Sequence, residues 1–208
     1  MKYRILLPLL LITALAGVHG AVHAEKADRA KPMNIEADAL RHDELKQTSV
    51  FTGRVVMTKG SIVLRGARLE VRQDADGYQT GVVTAAPGQR AFFRQKRDTA
   101  PSAPDEFVEG EGETIEYNGR ADTVRFIKKA QLRRLRGATL ADEVTGAVIL
   151  YENLSDKFTV DGAPKSATAP AGRVRAMLTP KPDATAPAAA PQPGTSLRAT
   201  PQLEKPAQ

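Results

Sequence analysis

The 208-residue chain contains no cysteine and no tryptophan, and only four tyrosines, six phenylalanines and three histidines. Without cysteine there is no disulfide framework, no thiolate nucleophile, no zinc–thiolate site and no acylated N-terminal cysteine. Two of the histidines, His19 and His23, fall in the apolar N-terminal stretch, which leaves His42 alone in the body of the chain. One imidazole cannot build a histidine metal cluster or a Cys–His pair, and His42 is read as a surface or edge residue. No Gly-x-Ser-x-Gly elbow and no glycine-rich phosphate loop occurs. No nucleophile and base can be assembled, so the sequence points away from an enzyme, and it calls for no cofactor and no metal.

What is present begins with an export signal. Lys2 and Arg4 precede an apolar run from Ile5 to Val18, and Val22-His23-Ala24 places small residues at a cleavage site. The run is shorter than the ~20 residues of a membrane-spanning helix. Residues 1–24 are therefore expected to be removed, and the mature chain to start at Glu25. From Pro164 to Gln208 the chain turns to Pro, Ala, Thr and Gln, a composition that buries too little surface to offset its ordering entropy. Residues 164–208 are read as a disordered tail. The leader carries Lys2 and Arg4; the tail carries Lys165, Arg173, Arg175, Lys181, Arg198 and Lys205 against Asp183 and Glu204. Together they account for the formal net charge of +6 and leave residues 25–163 neutral. The charge thus marks no nucleic-acid-binding domain.

Within 25–163 one pattern recurs: Gly, then Leu or Ile three residues on, Val or Tyr two further, and Asp five further. The copies are Gly66-Leu69-Val71-Asp76, Gly112-Ile115-Tyr117-Asp122 and Gly146-Ile149-Tyr151-Asp156, followed two residues later by Tyr78, Val124 and Phe158. Apolar residues two apart belong to a strand with one buried face, and the polar stretch after them is a turn. Asp76-Gly77 suits a type I′ turn. Met33-Asn34-Ile35-Glu36-Ala37 and the row Phe51, Gly53, Val55, Met57 alternate in the same way. Ala130 to Val144 has a helix-like composition, but the surrounding period of two favours strand. Short strands, frequent turns and no sustained helix predict an all-β domain whose sheet curls onto itself.

The charged clusters favour a bland reading. Glu109, Glu111 and Glu113 share a strand face with no second acidic group to complete a calcium or acid–base site. Asp74-Ala75-Asp76-Gly77 lacks the distal glutamate of a calcium loop. Arg94-Lys96-Arg97, Lys128-Lys129 and Arg133-Arg134-Arg136 are solvated faces or a cationic rim for the phosphates of an amphiphile. The candidate binding surface is the apolar stripe: Met33, Ile35, Phe51, Val55, Leu69, Val71, Phe93, Ile115, Tyr117, Phe126, Ile149, Tyr151 and Phe158. Alternation reports that these side chains are buried, not what they are buried against.

Lys31-Pro32-Met33-Asn34-Ile35-Glu36-Ala37-Asp38, then Phe51-Thr52-Gly53-Arg54-Val55-Val56-Met57-Thr58-Lys59-Gly60, together with the Gly66, Gly112 and Gly146 units, resemble the OstA-like family of periplasmic lipopolysaccharide-transport proteins. The resemblance runs from about Pro32 to about Gly162; Arg54 stands where the family often has Asn. It implies an antiparallel β-jellyroll of V-shaped cross-section, open along its length, over residues 25–163, with a periplasmic location. It implies lipopolysaccharide as ligand, the acyl chains of lipid A lying in the apolar groove. Met33, Ile35, Phe93 and Tyr117 match positions that line the family's lipid path. The implied partners are an LptC-like inner-membrane protein, an LptD-like outer-membrane translocon and further copies of the chain joined end to end, with the work supplied by an ATP-hydrolysing transporter. Met33 to Ala37 is then the N-terminal docking edge and Tyr151 to Val160 the C-terminal one. An exported β-rich scaffold for polysaccharide or protein is the alternative.

Overall fold

The structure, a computed structural model, describes residues 27–100, 102–165 and 172–180. The leader assigned to residues 1–24 and most of the Pro/Ala-rich segment lie outside the described residues. Among the described residues twelve strands follow one another: β1 Met33–Glu36, β2 Ala39–Asp43, β3 Thr48–Lys59, β4 Ile62–Gln73, β5 Gln79–Thr84, β6 Ala91–Lys96, β7 Glu106–Gly112, β8 Thr114–Asn118, β9 Thr123–Arg136, β10 Thr139–Glu152, β11 Lys157–Asp161 and β12 Arg175–Leu178. All pair antiparallel, and all belong to the compact unit that ends at Leu178.

The sheet bends because four strands are long. β3, β4, β9 and β10 run 12 to 14 residues, and each pairs with different neighbours along its two halves. In β4, Val63–Arg65 pairs with β6 while Arg68–Gln73 pairs with β5. In β9, Thr123–Ile127 pairs with β8 while Gln131–Arg136 pairs with β7. The result is two walls that share four strands. The first wall runs β2, β3, β4, β5, β8, β9, β10, β11, and the second runs β1, β3, β4, β6, β7, β9, β10, β12.

The long strands cross between walls at one seam. There the β3–β4 register shifts between Thr52 and Val55, and the β9–β10 register shifts between Gly146 and Val148. The backbone takes left-handed φ at Gly53 (77°) and Arg54 (41°), and again at Lys128 (61°) and Lys129 (52°). Bulges and positive φ turn a strand sharply without breaking its ladder. The repeated glycines mark the same line: a Cβ at Gly66 would lie 2.4 Å from Val83 Cγ1, and one at Gly146 would lie 2.6 Å from Val160 Cγ1.

Each copy of the sequence repeat is one hairpin of the first wall. Its glycine sits at the seam, its apolar pair faces the second wall, and its aspartate lies in the turn at the opposite rim. Asp122 (φ 55°) and Asp156 (φ 52°) take the left-handed position in their turns, whereas in the first copy Gly77 (84°) takes it and Asp76 does not. A type I′ turn needs positive φ at both central residues, so Asp76-Gly77 does not form one. The loop is instead held by Asp74, whose carboxylate accepts from the amides of Asp76 (3.0 Å) and Tyr78 (2.9 Å). Ala130 to Val144 is strand, turn and strand within β9 and β10.

One stretch of the segment read as a tail is ordered into the sheet. Arg175–Leu178 forms β12 and pairs with Asp142–Thr145 of β10. Val174, Met177 and Leu178 are a local apolar exception in that composition, and β10 offers them an unpaired edge.

Candidate functional site: an apolar interior with a polar mouth

The inner faces of the two walls meet in a continuous apolar cluster. Val55, Leu69, Val71, Phe93, Ile115, Tyr117, Phe126, Ile149 and Tyr151 are buried in it, with Met33, Ile35 and Phe51 packed against its edge. Phe158 is paired with Tyr151 across β10–β11 and stays 38% exposed at the β11 end. Phe93 of the second wall meets Phe126 of the first edge-on, with centroids 5.7 Å apart at 66°. Gly110 opposite makes room for that ring, since a Cβ there would lie 2.2 Å from Phe126 Cε1. The walls are in contact: a hollow of about 20 Å³ remains beside Leu132, Tyr151 and Phe158 and one of about 80 Å³ beside Arg29, Lys59 and Tyr117, room for water and not for a long hydrocarbon chain.

Met57, Ile62, Leu64, Val83, Val124 and Leu132 share this interior and did not figure among the candidate residues. The signal for them is parity. Met57 follows Val55 by two, Val124 precedes Phe126 by two, and Leu64 lies opposite Met57 in the β3–β4 ladder.

Opposite the seam, the free ends of the two walls form the rims of a mouth. The first-wall rim is made of the turns 74–78, 119–122 and 153–156; the second-wall rim is made of Gly60-Ser61, 97–100, 102–105 and 137–138. Among the described residues no strand ladder crosses from rim to rim. The crossing contacts are polar. Arg97 of the second rim is ion-paired with Asp156 of the first, and Arg134 Nη2 lies 3.4 Å from the same carboxylate. The hydroxyl of Tyr151 donates to Asp156 Oδ1 (3.3 Å). The turn at residues 27–31 also spans the rims: Asp28 accepts from Ser61 on one side and Arg29 approaches Asp122 (3.9 Å) on the other.

This edge is where the domain buries its polar groups. Asp28, Lys59, Gln95, Asp122 and Asn153 are all buried. Asn153 Nδ2 donates to Asp122 Oδ1 (3.0 Å) and Lys59 Nζ to the carbonyl of Lys31 (2.7 Å), but Gln95 Oε1 and Asn153 Oδ1 find no donor. Burial pushes the Lys59 ammonium below the usual lysine range, with Asp28 and Asp122 acting against that. Burial also pushes the Tyr117 hydroxyl up to about 12, helped by Asp122 and Asp28.

The basic clusters mostly face outward and are paired. Across β6, β7 and β9, Arg94 joins Glu109 (2.6 Å), Arg133 joins Glu111 (2.9 Å) and Arg136 joins Glu106 (3.2 Å). This accounts for Glu109 and Glu111 as cross-strand partners of arginine. Glu113 pairs with Lys129 (2.9 Å) at the seam. Of the proposed cationic rim, Arg97 and Arg134 contact the opposite wall, both at Asp156.

Comparison with known proteins agrees with this architecture. Residues 34–157 match the family profile described as LptA/(LptD N-terminal domain) LPS transport protein. The lipopolysaccharide export system protein LptH of Pseudomonas aeruginosa is 30% identical over 183 residues, covering 87% of this chain and 98% of the relative. The lipopolysaccharide export system protein LptA of Haemophilus influenzae is 24% identical over 172 residues (83% and 91%), and that of Escherichia coli K12 is 27% identical over 139 residues (67% and 72%). The crystal structure of Pseudomonas aeruginosa LptH, the LptA-homologous periplasmic component of the lipopolysaccharide transport device, superposes with a TM-score of 0.59 at 24% identity, covering 74% of this chain and 99% of the other, which establishes the shared fold. A curled antiparallel sheet with a repeated seam-to-rim hairpin, and a profile spanning β1 to β11, place the chain in the LptA/LptD N-terminal domain family of lipopolysaccharide-transport proteins.

Proposed function

We propose that this protein is a periplasmic carrier of lipopolysaccharide, which holds the acyl chains of lipid A between its two walls while the sugars remain outside the mouth. The supporting observation is the contrast between the two long edges. The seam is continuous backbone, whereas the mouth is held by side chains around an apolar interior.

Magnitudes favour opening at the mouth. Burying an acyl chain of about twelve carbons is worth about 10 kcal/mol, at ~0.8 kcal/mol per methylene. Each ion pair across the rims contributes about 0–1 kcal/mol and each neutral hydrogen bond about 1 kcal/mol. The unpaired Gln95 and Asn153 oxygens weaken the closed mouth further. Parted walls keep their apolar faces covered, with hydrocarbon in place of the opposite wall. Met33, Ile35, Phe51, Val55, Leu69, Val71, Phe93, Ile115, Tyr117, Phe126, Ile149, Tyr151 and Phe158 then contact the acyl chains. The role is binding, not catalysis.

The unpaired edges supply docking surfaces. β1 and β2 bound one end of the walls and β11 and β12 the other, and an edge strand accepts another chain by strand addition. An LptC-like inner-membrane partner, an LptD-like translocon and further copies of this chain fit these edges. A photo-reactive side chain at Phe93 is expected to capture lipopolysaccharide in living cells, and one at the outward-facing Thr80 is not. Continued transport with no capture at Phe93 would overturn the carrier reading.

A further inference from the structure

The residues that close the mouth include a short segment ahead of the sheet. Ala27 to Lys31 forms a tight turn, with the amide of Ala30 donating to Ala27 O (3.3 Å) and that of Lys31 to Asp28 O (3.1 Å). Neither the repeat nor the apolar stripe includes it. We propose that this turn is a strap across the mouth, pinned to the second rim by Asp28 and to the first by Arg29, and that its release is the step that lets the rims part; this rests on the carrier reading above.

The two anchors are unequal. Asp28 is 4% exposed, and its carboxylate accepts from Ser61 N (2.7 Å), Ser61 Oγ (2.6 Å) and Gln95 Nε2 (3.4 Å). Its seat is built for it: Gly60 has φ +60°, and a Cβ there would lie 1.9 Å from Asp28 Oδ1. Lys59, from the same rim, donates to Lys31 O (2.7 Å) and ties down the end of the turn. The anchor on the first rim is loose. Arg29 reaches Arg120 O at 3.4 Å and Asp122 at 3.9 Å, with its side chain 37% exposed. A buried carboxylate with three donors holds far better than a half-solvated guanidinium at long range. The strap therefore unhooks from the first wall and stays seated on the second.

Its position links the mouth to the N-terminal edge. Pro32 alone separates Lys31 from β1. A strand laid along β1 acts directly on the root of the strap, so docking at that edge and opening of the mouth share one element.

The chain has no cysteine, so two introduced cysteines report alone. Spin labels at Ala100 and Ala121, one exposed position on each rim, measure the width of the mouth in the full-length mature protein. Arg29→Ala is expected to broaden the distance distribution towards longer values, and Asp28→Ala, which frees the other end of the same strap, to do so to a similar extent. Loss of about one net hydrogen bond between the strap and a rim predicts lipopolysaccharide uptake about fivefold faster in either variant, read as capture by the photo-reactive group at Phe93. Distances unchanged in Arg29→Ala, whose side chain is 37% exposed, overturn the strap. Equal uptake rates in the parent and both variants also overturn the strap and leave the carrier intact. A widened mouth with no capture in any variant overturns the carrier and leaves the strap.

Discussion

Gly110 shows how one missing methyl sets the spacing of the walls. Its hydrogen faces the Phe126 ring at a distance no Cβ can occupy. Gly110→Ala forces that ring off its position against Phe93 and is expected to cost about 1–3 kcal/mol, read as a lower urea midpoint at unchanged slope. Adding Phe126→Leu should restore part of the loss, because the two positions share one contact. Tyr117 gives a second test at a single position. Its hydroxyl is raised from 10.0 to about 12 in the fold, so between those values the unfolded chain loses a proton that the native chain keeps. The associated stability is fully present below pH 10 and is lost as pH rises through about 12. The loss is about 3 kcal/mol, at ~1.36 kcal/mol for each pKa unit. Denaturation in urea across this window should show Tyr117→Phe falling less steeply than the parent.

At the scale of the strand, β9 serves both walls along its length. Its first half faces Phe93 and its second half lies beside the β7 glutamates, so it must bend through the seam. It does so at Lys128 and Lys129, both left-handed, where β3 uses Gly53 before Arg54. A side chain in that region costs about 1–2 kcal/mol. Lys128→Gly relieves the strain at the expense of some unfolded-chain entropy, for an expected net gain of about 1 kcal/mol, visible as a rise of about 2–4 °C in Tm. A fall in Tm would show that Lys128 contributes contacts at the seam that outweigh its backbone strain.

Taken together, the two walls and four shared strands enclose one apolar interior, and on the carrier reading proposed above it opens along the mouth, where no ladder need break. Arg97 and Asp156 face each other across that edge. Cysteines at these two positions, joined by a short bismaleimide, are expected to abolish lipopolysaccharide capture at Phe93 while leaving the far-ultraviolet circular dichroism unchanged. The same pair left unjoined should load normally or faster, because the ion pair has gone. Full capture in the cross-linked form would place the path of the acyl chains somewhere other than this mouth.

Much of this was legible in the chain. A period of two over Met33–Ala37 and Phe51–Met57, glycine followed by an apolar pair and then aspartate, and the absence of any sustained helical period were enough to announce hairpins with one buried face. Parity chose the face, because successive strand side chains point to opposite sides. Parity cannot choose the partner. That β4 pairs with β6 along one half and β5 along the other, that Phe93 meets Phe126, and that Arg97 reaches a carboxylate 59 residues away are contacts between segments whose local patterns are alike. The strap escaped notice for the same reason: Asp28 and Arg29 look like ordinary surface charges until Ser61 and Asp122 are brought to either side of them. β12 escaped because four residues in a Pro/Ala-rich segment carry too weak a period, and the free edge of β10 supplied what the local sequence lacked. Alternation thus dictated which atoms leave water, while chain closure at long range dictated what they meet when they do.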